Sequence, residues 1–339
     1  MDQATFDVVL GVGRFLLVTI LLLLLTVPTA FIVGQLELKI LAQMQLRYGP
    51  NRVGPWGMFQ STIHGFKMLA KEDTTPDRAD RATFTLAPWL VFMAAAMSML
   101  VIPFAPGLVG FDSSISVVYF FAVISLSVVG LLIAGWASYN KYSLLGGLRS
   151  SAQLVSYEIP LTLSIVGVVV LTGSLSFTEI VRWQAEHGWA VLWQIVGFPI
   201  FFIAAAAEIN RTPFDMVEAD SEIVAGPFTE YSGMRFGFFY FAEYVALFIM
   251  SAILATLFFG GWLAPWPFPA ELDGLIGTIY ALGWFFGKTY FFVFVAIWVR
   301  ATLPRMRIDQ LMGMAWKVLL PLALVNLFLT AAAVLIFHL

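Results

Sequence analysis

The sequence predicts an all-α fold, a polytopic membrane helix bundle with about eight transmembrane helices and short amphipathic helices in its longer connections. Three observations predict it. Of 339 residues, 60% are hydrophobic and 12% charged, with mean hydropathy +0.89, against about 25% charged in an ordinary soluble domain. The apolar residues gather into eight runs, each near the roughly 20 residues that cross a bilayer as a helix. The charged residues gather into every second connection.

The runs lie at about 15–36, 84–104, 115–137, 152–172, 190–208, 238–262, 275–299 and 317–338, in one transmembrane domain over 1–339. The first has only Arg14 before it and reads as a spanning helix rather than a removable leader. Pro28, Pro103, Pro160 and Pro199 fall in or near run ends, which membrane helices tolerate. In the 1–2 connection, Arg47-Tyr-Gly49-Pro50-Asn51-Arg52-Val-Gly54-Pro55 reads as a tight, rigid turn. Trp56, Phe59, Ile63, Phe66 and Ala70 then recur three or four apart, with Lys67 and Lys71 off the stripe. That pattern predicts a short amphipathic helix, lying in the membrane interface or against a partner protein, and the spacing leaves both open. In the 5–6 connection, Thr212 reads as an N-cap, Pro213 as N1 and Asp215 as N3. The helix so begun would place Asp215, Glu218 and Glu222 on one face and end at Gly226-Pro227.

Fifteen of the 18 Lys and Arg fall in the 1–2, 3–4, 5–6 and 7–8 connections. The positive-inside rule places those connections in the cytoplasm and both termini on the opposite side. A net charge of −3 and a pI near 5.6 argue against nucleic acid as a partner. With no cysteine, the chain offers no disulfide, thiolate zinc site or cysteine-ligated cluster. His64, His187 and His338 are far apart, which argues against a bis-histidine haem pair, and no metal site is expected. Redox chemistry would therefore use a cofactor held by a neighbour, or a diffusible one. No P-loop lysine pattern is present. No internal repeat or inverted symmetry supports an independent ion transporter.

Two groups of residues point to chemistry. The 5–6 connection holds six acids from Glu208 to Glu230, with Arg211 and Arg235. Clustered carboxylates raise one another's pKa, so some would hold protons near neutrality; a solvated acidic face is the alternative. Glu158, Glu208, Glu243 and Lys288 fall within or at the ends of apolar runs. A charge at that depth marks a proton or ion path, or is structurally paired, as Lys288 would be with a carboxylate.

Several strings resemble one family. They are Glu37-Leu-Lys39, Gly49-Pro-Asn51, Val53-Gly-Pro55, Lys71-Glu-Asp73, Asn140-Lys-Tyr-Ser-Leu-Leu-Gly146, Ser156-Tyr-Glu158, Asn210-Arg-Thr-Pro-Phe-Asp215, Glu230-Tyr-Ser-Gly-Met234, Ala242-Glu-Tyr244, Arg300-Ala-Thr-Leu-Pro-Arg305 and Asp309-Gln-Leu-Met312. In this order, over nearly the whole chain, they are similar to the H subunit (ND-one type) of respiratory complex I, the proton-translocating NADH:quinone oxidoreductase. The resemblance implies a membrane subunit of the bacterial cytoplasmic (inner) membrane that forms part of the quinone-binding chamber. Glu37, Arg211, Asp215, Glu218, Glu222 and Glu230 match chamber positions; Glu158, Glu208 and Glu243 match the proton route, to which Lys288 is added as a buried charge. It implies quinone as substrate, with FMN and iron–sulfur clusters in partner subunits and no catalytic residue assigned in this chain alone. The implied partners are the peripheral iron–sulfur and quinone-site subunits, small membrane subunits, antiporter-like subunits and the lipid bilayer. Leu38, His64, Val217, Asp220 and Pro227 depart from the family pattern, and Leu38 removes an Arg beside Glu37. The membrane subunit of an energy-converting hydrogenase is the alternative within the superfamily; an independent ion transporter is the alternative outside it.

Overall fold

The computed structural model describes residues 3–217, 220–265, 268–269 and 274–337. Among them there is no β-strand, and seven helices are long and apolar enough to cross a membrane. The helices are α1 (Gln3–Met44), α2 (Gln60–Leu69), α3 (Arg81–Ser98), α4 (Ser116–Ala137), α5 (Lys141–Thr172), α6 (Phe177–His187), α7 (Gly197–Glu208), α8 (Asp220–Ile223), α9 (Gly233–Phe258), α10 (Gly274–Thr302), α11 (Ile308–Met314) and α12 (Leu320–Phe337). The helix of the 1–2 connection forms as α2, and Trp56 belongs to the short turn before it.

Local chemistry sets several ends. Asp80 accepts from the Ala82 N–H at the start of α3, and Asn140 accepts from the Tyr142 N–H at the start of α5. Gly173 closes α5 in the left-handed conformation, φ 70°. A π-helical turn over Ala315–Leu319 joins α11 to α12. Pro321 follows it and has no N–H to return to the Lys317 carbonyl, a known cause of such widening.

The helix α9 is the hub. Its most apolar stretch is 78% buried within the chain, against 28% for α10 and 22% for the α11–α12 rod. The outer helices therefore present apolar side chains outward, as Leu275, Phe291, Phe328 and Leu335 do. On one flank, α4 and α5 approach through Gly135 and Gly147: a Cβ on Gly135 would come within 3.1 Å of the Gly147 Cα.

Two sequence expectations are corrected. The fifth run is not one long helix. Only Gly197–Glu208 is α-helical, 12 residues and about 18 Å, short of the ~30 Å hydrocarbon layer. In the chain before it Gln194 turns inward, donating to Thr330 Oγ1 (2.6 Å) and the Gly167 carbonyl and accepting from Asn326 Nδ2 (2.7 Å). The 5–6 connection does not begin a helix at Thr212 either. Residues 211–217 form turns with a cis Thr212–Pro213 bond, and among the described residues of the connection the α-helix is Asp220–Ile223. Carbonyls that a helix would use are taken by tertiary donors: Phe214 by Gln153 Nε2, Pro213 by the Met306 N–H and Asp215 by Arg305. Asp215 and Glu222 therefore do not share a helical face.

The charged connections interlock at one end of the bundle. Arg149 pairs with Glu222 (2.6 Å), Asn140 donates to Glu230 (2.6 Å), Arg235 pairs with Asp73 (3.0 Å) and the Thr74 N–H donates to Ser232 (2.8 Å). The opposite end carries α6, whose Thr178 hydroxyl donates to Asp112 of the 2–3 connection (3.2 Å). Because the chain has no cysteine, single cysteines report these ends cleanly. Arg78→Cys and Ser114→Cys flank α3, both exposed, and are expected to react with a membrane-impermeant thiol reagent from opposite faces of sealed vesicles. Labelling of both from one face would show that α3 does not cross.

Candidate functional site

The site is a buried ion network beside an apolar cavity. Arg211 follows α7 by three residues and is buried, as is Glu37 of α1. Arg211 Nη1 donates to Glu37 Oε2, and Arg211 Nε lies 2.6 Å from Glu243 Oε1 on α9. Arg300 Nη1 from α10 holds the other Glu37 oxygen at 2.5 Å. The Arg211 guanidinium also lies 4.9 Å from the Tyr244 ring centroid. Two cations thus meet two anions, and the network is formally neutral. Burial alone would lower the Arg211 pKa; the Glu243 and Glu37 carboxylates outweigh it and raise it, so the side chain stays charged.

The cavity opens beside this network. Its walls include Val91, Ile124, Leu131, Leu154 and Ile249; its polar lining is Ser98, Ser127, Glu208, Asn210, Asp215, Glu243 and Arg300. Glu243 and Arg300 therefore belong to both the network and the cavity. Glu208 is buried at the end of α7, and its Oε2 has no hydrogen-bond partner among the described residues. Glu158 is half-buried on α5, within electrostatic reach of Glu208.

The other expected residues are distributed differently. Asp215 lines the cavity and faces Arg305 at 3.5 Å. Glu222 meets Arg149 and Glu230 meets Asn140, so Asp215, Glu222 and Glu230 have separate partners rather than form one cluster. Glu218 lies outside the described residues, as does His338. Lys288 lies 12 residues from Arg300, about 18 Å along α10. No carboxylate pairs with it among the described residues. Its ammonium donates to the carbonyls of Phe259 (2.6 Å), Gly261 (3.1 Å) and Leu263 (2.5 Å) at the C-terminal end of α9, where a cation complements the helix dipole. Arg300 is the network residue that charge reading left unassigned; its place beside the acids is set by α10, not by spacing. The departure at Leu38 leaves Glu37 with two guanidiniums, Arg211 and Arg300. Val217 is buried and lines the cavity, while His64 is exposed and meets Gln60 (2.8 Å). Pro227 is buried, and its carbonyl accepts from Ser143 (3.1 Å). Among the described residues no group of three or more His, Cys, Asp or Glu is placed to hold a metal ion.

A family model described as NADH dehydrogenase matches residues 16–331. The chain belongs to this family. It is 48% identical over 320 residues to the H subunit of NADH-quinone oxidoreductase from Brevibacillus brevis, covering 94% of this chain and 93% of that one. It is 50% identical over 301 residues to the H subunit from Dehalococcoides mccartyi strain CBDB1, covering 89% and 81%. With that of Rubrobacter xylanophilus it shares 45% over 325 residues, covering 95% and 96%. The matched span includes every residue of the ion network and the cavity lining.

Breaking the network should lower stability. Arg211→Met would leave the buried Glu37–Glu243–Arg300 group with an excess negative charge, a change that costs about 3–5 kcal/mol where a buried pair is broken. The detergent-solubilised protein in its native assembly is expected to show a clearly lower thermal midpoint. Arg211→Lys keeps the charge but not the fork and is expected to fall between. An unchanged midpoint in Arg211→Met would contradict the pairing.

Proposed function

We propose that the chain is the H-type membrane subunit of a proton-translocating NADH:quinone oxidoreductase. In this reading it forms part of the quinone-binding chamber and couples quinone reduction to proton movement. The observation that supports it most is the cavity itself. Apolar walls suit a hydrophobic quinone, and the polar lining brings carboxylates and a guanidinium to the same space. Quinone reduction takes up two electrons and two protons, so the charge in the chamber changes during turnover. The neutral Glu37–Arg211–Glu243–Arg300 group would respond by shifting its pairing, since charges in a water-poor site interact strongly. Glu208, with one oxygen unpartnered, and neighbouring Glu158 would accept and pass a proton away from the chamber. Asp215, Glu218, Glu222 and Glu230 would set the acidity and shape of the loop at its edge.

In this reading the electrons arrive from FMN and iron–sulfur clusters in peripheral partner subunits, since this chain has no cysteine to ligate a cluster. Small and antiporter-like membrane subunits are the further partners. The interlocked connections face the cytoplasm, and the bacterial cytoplasmic membrane is the location.

The test uses membranes carrying the assembled complex. Glu208→Gln and Glu243→Gln are each expected to lower quinone-dependent NADH oxidation and the accompanying proton uptake by about tenfold or more, the usual scale for removing a proton-transfer group. NADH oxidation by ferricyanide, a water-soluble acceptor, should persist and so report assembly. A quinone analogue that blocks the chamber should abolish the wild-type quinone rate. Full quinone rates and full proton uptake in both variants would sink the coupling role. Insensitivity to the analogue would favour the hydrogenase-type reading.

A further inference from the structure

One uncharged side chain reaches from α5 into the turn that carries Arg211. Gln153 is 1% exposed. Its amide nitrogen donates to the Ala207 carbonyl (2.8 Å), the Phe214 carbonyl (2.7 Å) and Asn210 Oδ1 (3.2 Å). Two of these are main-chain carbonyls, so the nitrogen and not the oxygen must face them, whichever way the amide is first drawn. The oxygen Oε1 is then buried without a hydrogen-bond partner among the described residues. A buried unpaired acceptor is costly. The site tolerates that cost in order to place two N–H donors at this turn.

The three acceptors bracket Arg211 in the chain. Ala207 and Asn210 precede it and Phe214 follows it. Asn210 holds φ 56°, an uncommon conformation for a residue with a Cβ, at the point where the chain leaves α7. The Phe214 N–H closes the turn on the Arg211 carbonyl at 2.8 Å. The Gln153 amide thus grips the chain on both sides of Arg211 rather than the guanidinium itself. Arg211 reaches Glu37 through Nη1 and lies 2.6 Å from Glu243 through Nε, so a small backbone shift would lengthen one of the two ion pairs.

We propose that Gln153 is a positioning residue: by donating to both sides of the 207–214 turn it aims Arg211 between Glu37 and Glu243. The activity readout for this role rests on the quinone-chamber reading above. The competing account is a plain clamp between α5 and the end of α7, which would stabilise the bundle without acting through Arg211.

A double-mutant cycle separates the two. Quinone-dependent NADH oxidation is measured in membranes for the wild type, Gln153→Met, Arg211→Lys and the double variant, each normalised to its ferricyanide rate as the measure of assembled enzyme. Gln153→Met is expected to lower the normalised rate about tenfold in the wild-type background, the scale of losing buried hydrogen bonds. In the Arg211→Lys background it is expected to change the rate by less than about twofold, because residues acting as a unit are non-additive. An equal factor in both backgrounds, or none in either, overturns the proposal. Where Gln153→Met fails to assemble, Gln153→Asn replaces it: one methylene shorter, it cannot reach both sides of the turn. The thermal midpoints of the same four proteins give a second cycle that does not use quinone. If Arg211→Lys leaves the quinone rate at the wild-type level, the chamber reading fails. The midpoint cycle then decides on Gln153: non-additive shifts support its grip on Arg211, and additive shifts overturn it.

Discussion

A guanidinium cannot shed its charge when it is buried. Arg211 is buried, so carboxylates must come to it, and that requirement organises this molecule. Glu37 arrives from α1 and Glu243 from α9, while Arg300 from α10 balances the pair. Three helices and the 5–6 connection are thereby brought to one point. A buried ion group of this kind is a poor source of net stability, because desolvation offsets much of the attraction. What it does supply here is a defined arrangement of charge next to a cavity.

The rest of the bundle serves that arrangement. The helix α7 ends at Glu208, so the chain leaves its helical path where Glu208 meets the cavity and Arg211 meets the network. Gln153, Met306 and Arg305 capture the freed carbonyls of the following turn. α3 and α4 supply apolar walls on the other side of the cavity. Farther along α10 from Arg300, Lys288 satisfies carbonyls at the end of α9 and fixes the hub against its neighbour. In the proposed reading, the neutral network is the element that feels a change of charge in the chamber.

The helical membrane bundle was legible because apolar run length is a strong, local signal. The chemistry was legible only in part. Glu37, Arg211 and Glu243 stood out through their resemblance to a family, yet 37, 211, 243 and 300 have no spacing that foretells their meeting. The Thr212 helix start failed because donors from α5 and the 7–8 connection compete for its carbonyls, and local capping rules cannot see such donors. Lys288 was visible as a buried charge, but its partners are main-chain carbonyls, which no side-chain pattern records. Gln153 carries no charge, so a search for ionisable groups passes over it. The role proposed for it rests on three distances and on one oxygen without a partner among the described residues.

In the proposed reading the cavity beside the Arg211 network belongs to a quinone chamber. The most direct measurement is the density of a bound quinone in the fully assembled complex. The quinone is expected to contact the chain at the polar side of this cavity, beside Asp215, Glu243 and Arg300. A quinone bound in the complex with no contact to these residues, and with the cavity sealed from its path, would contradict it.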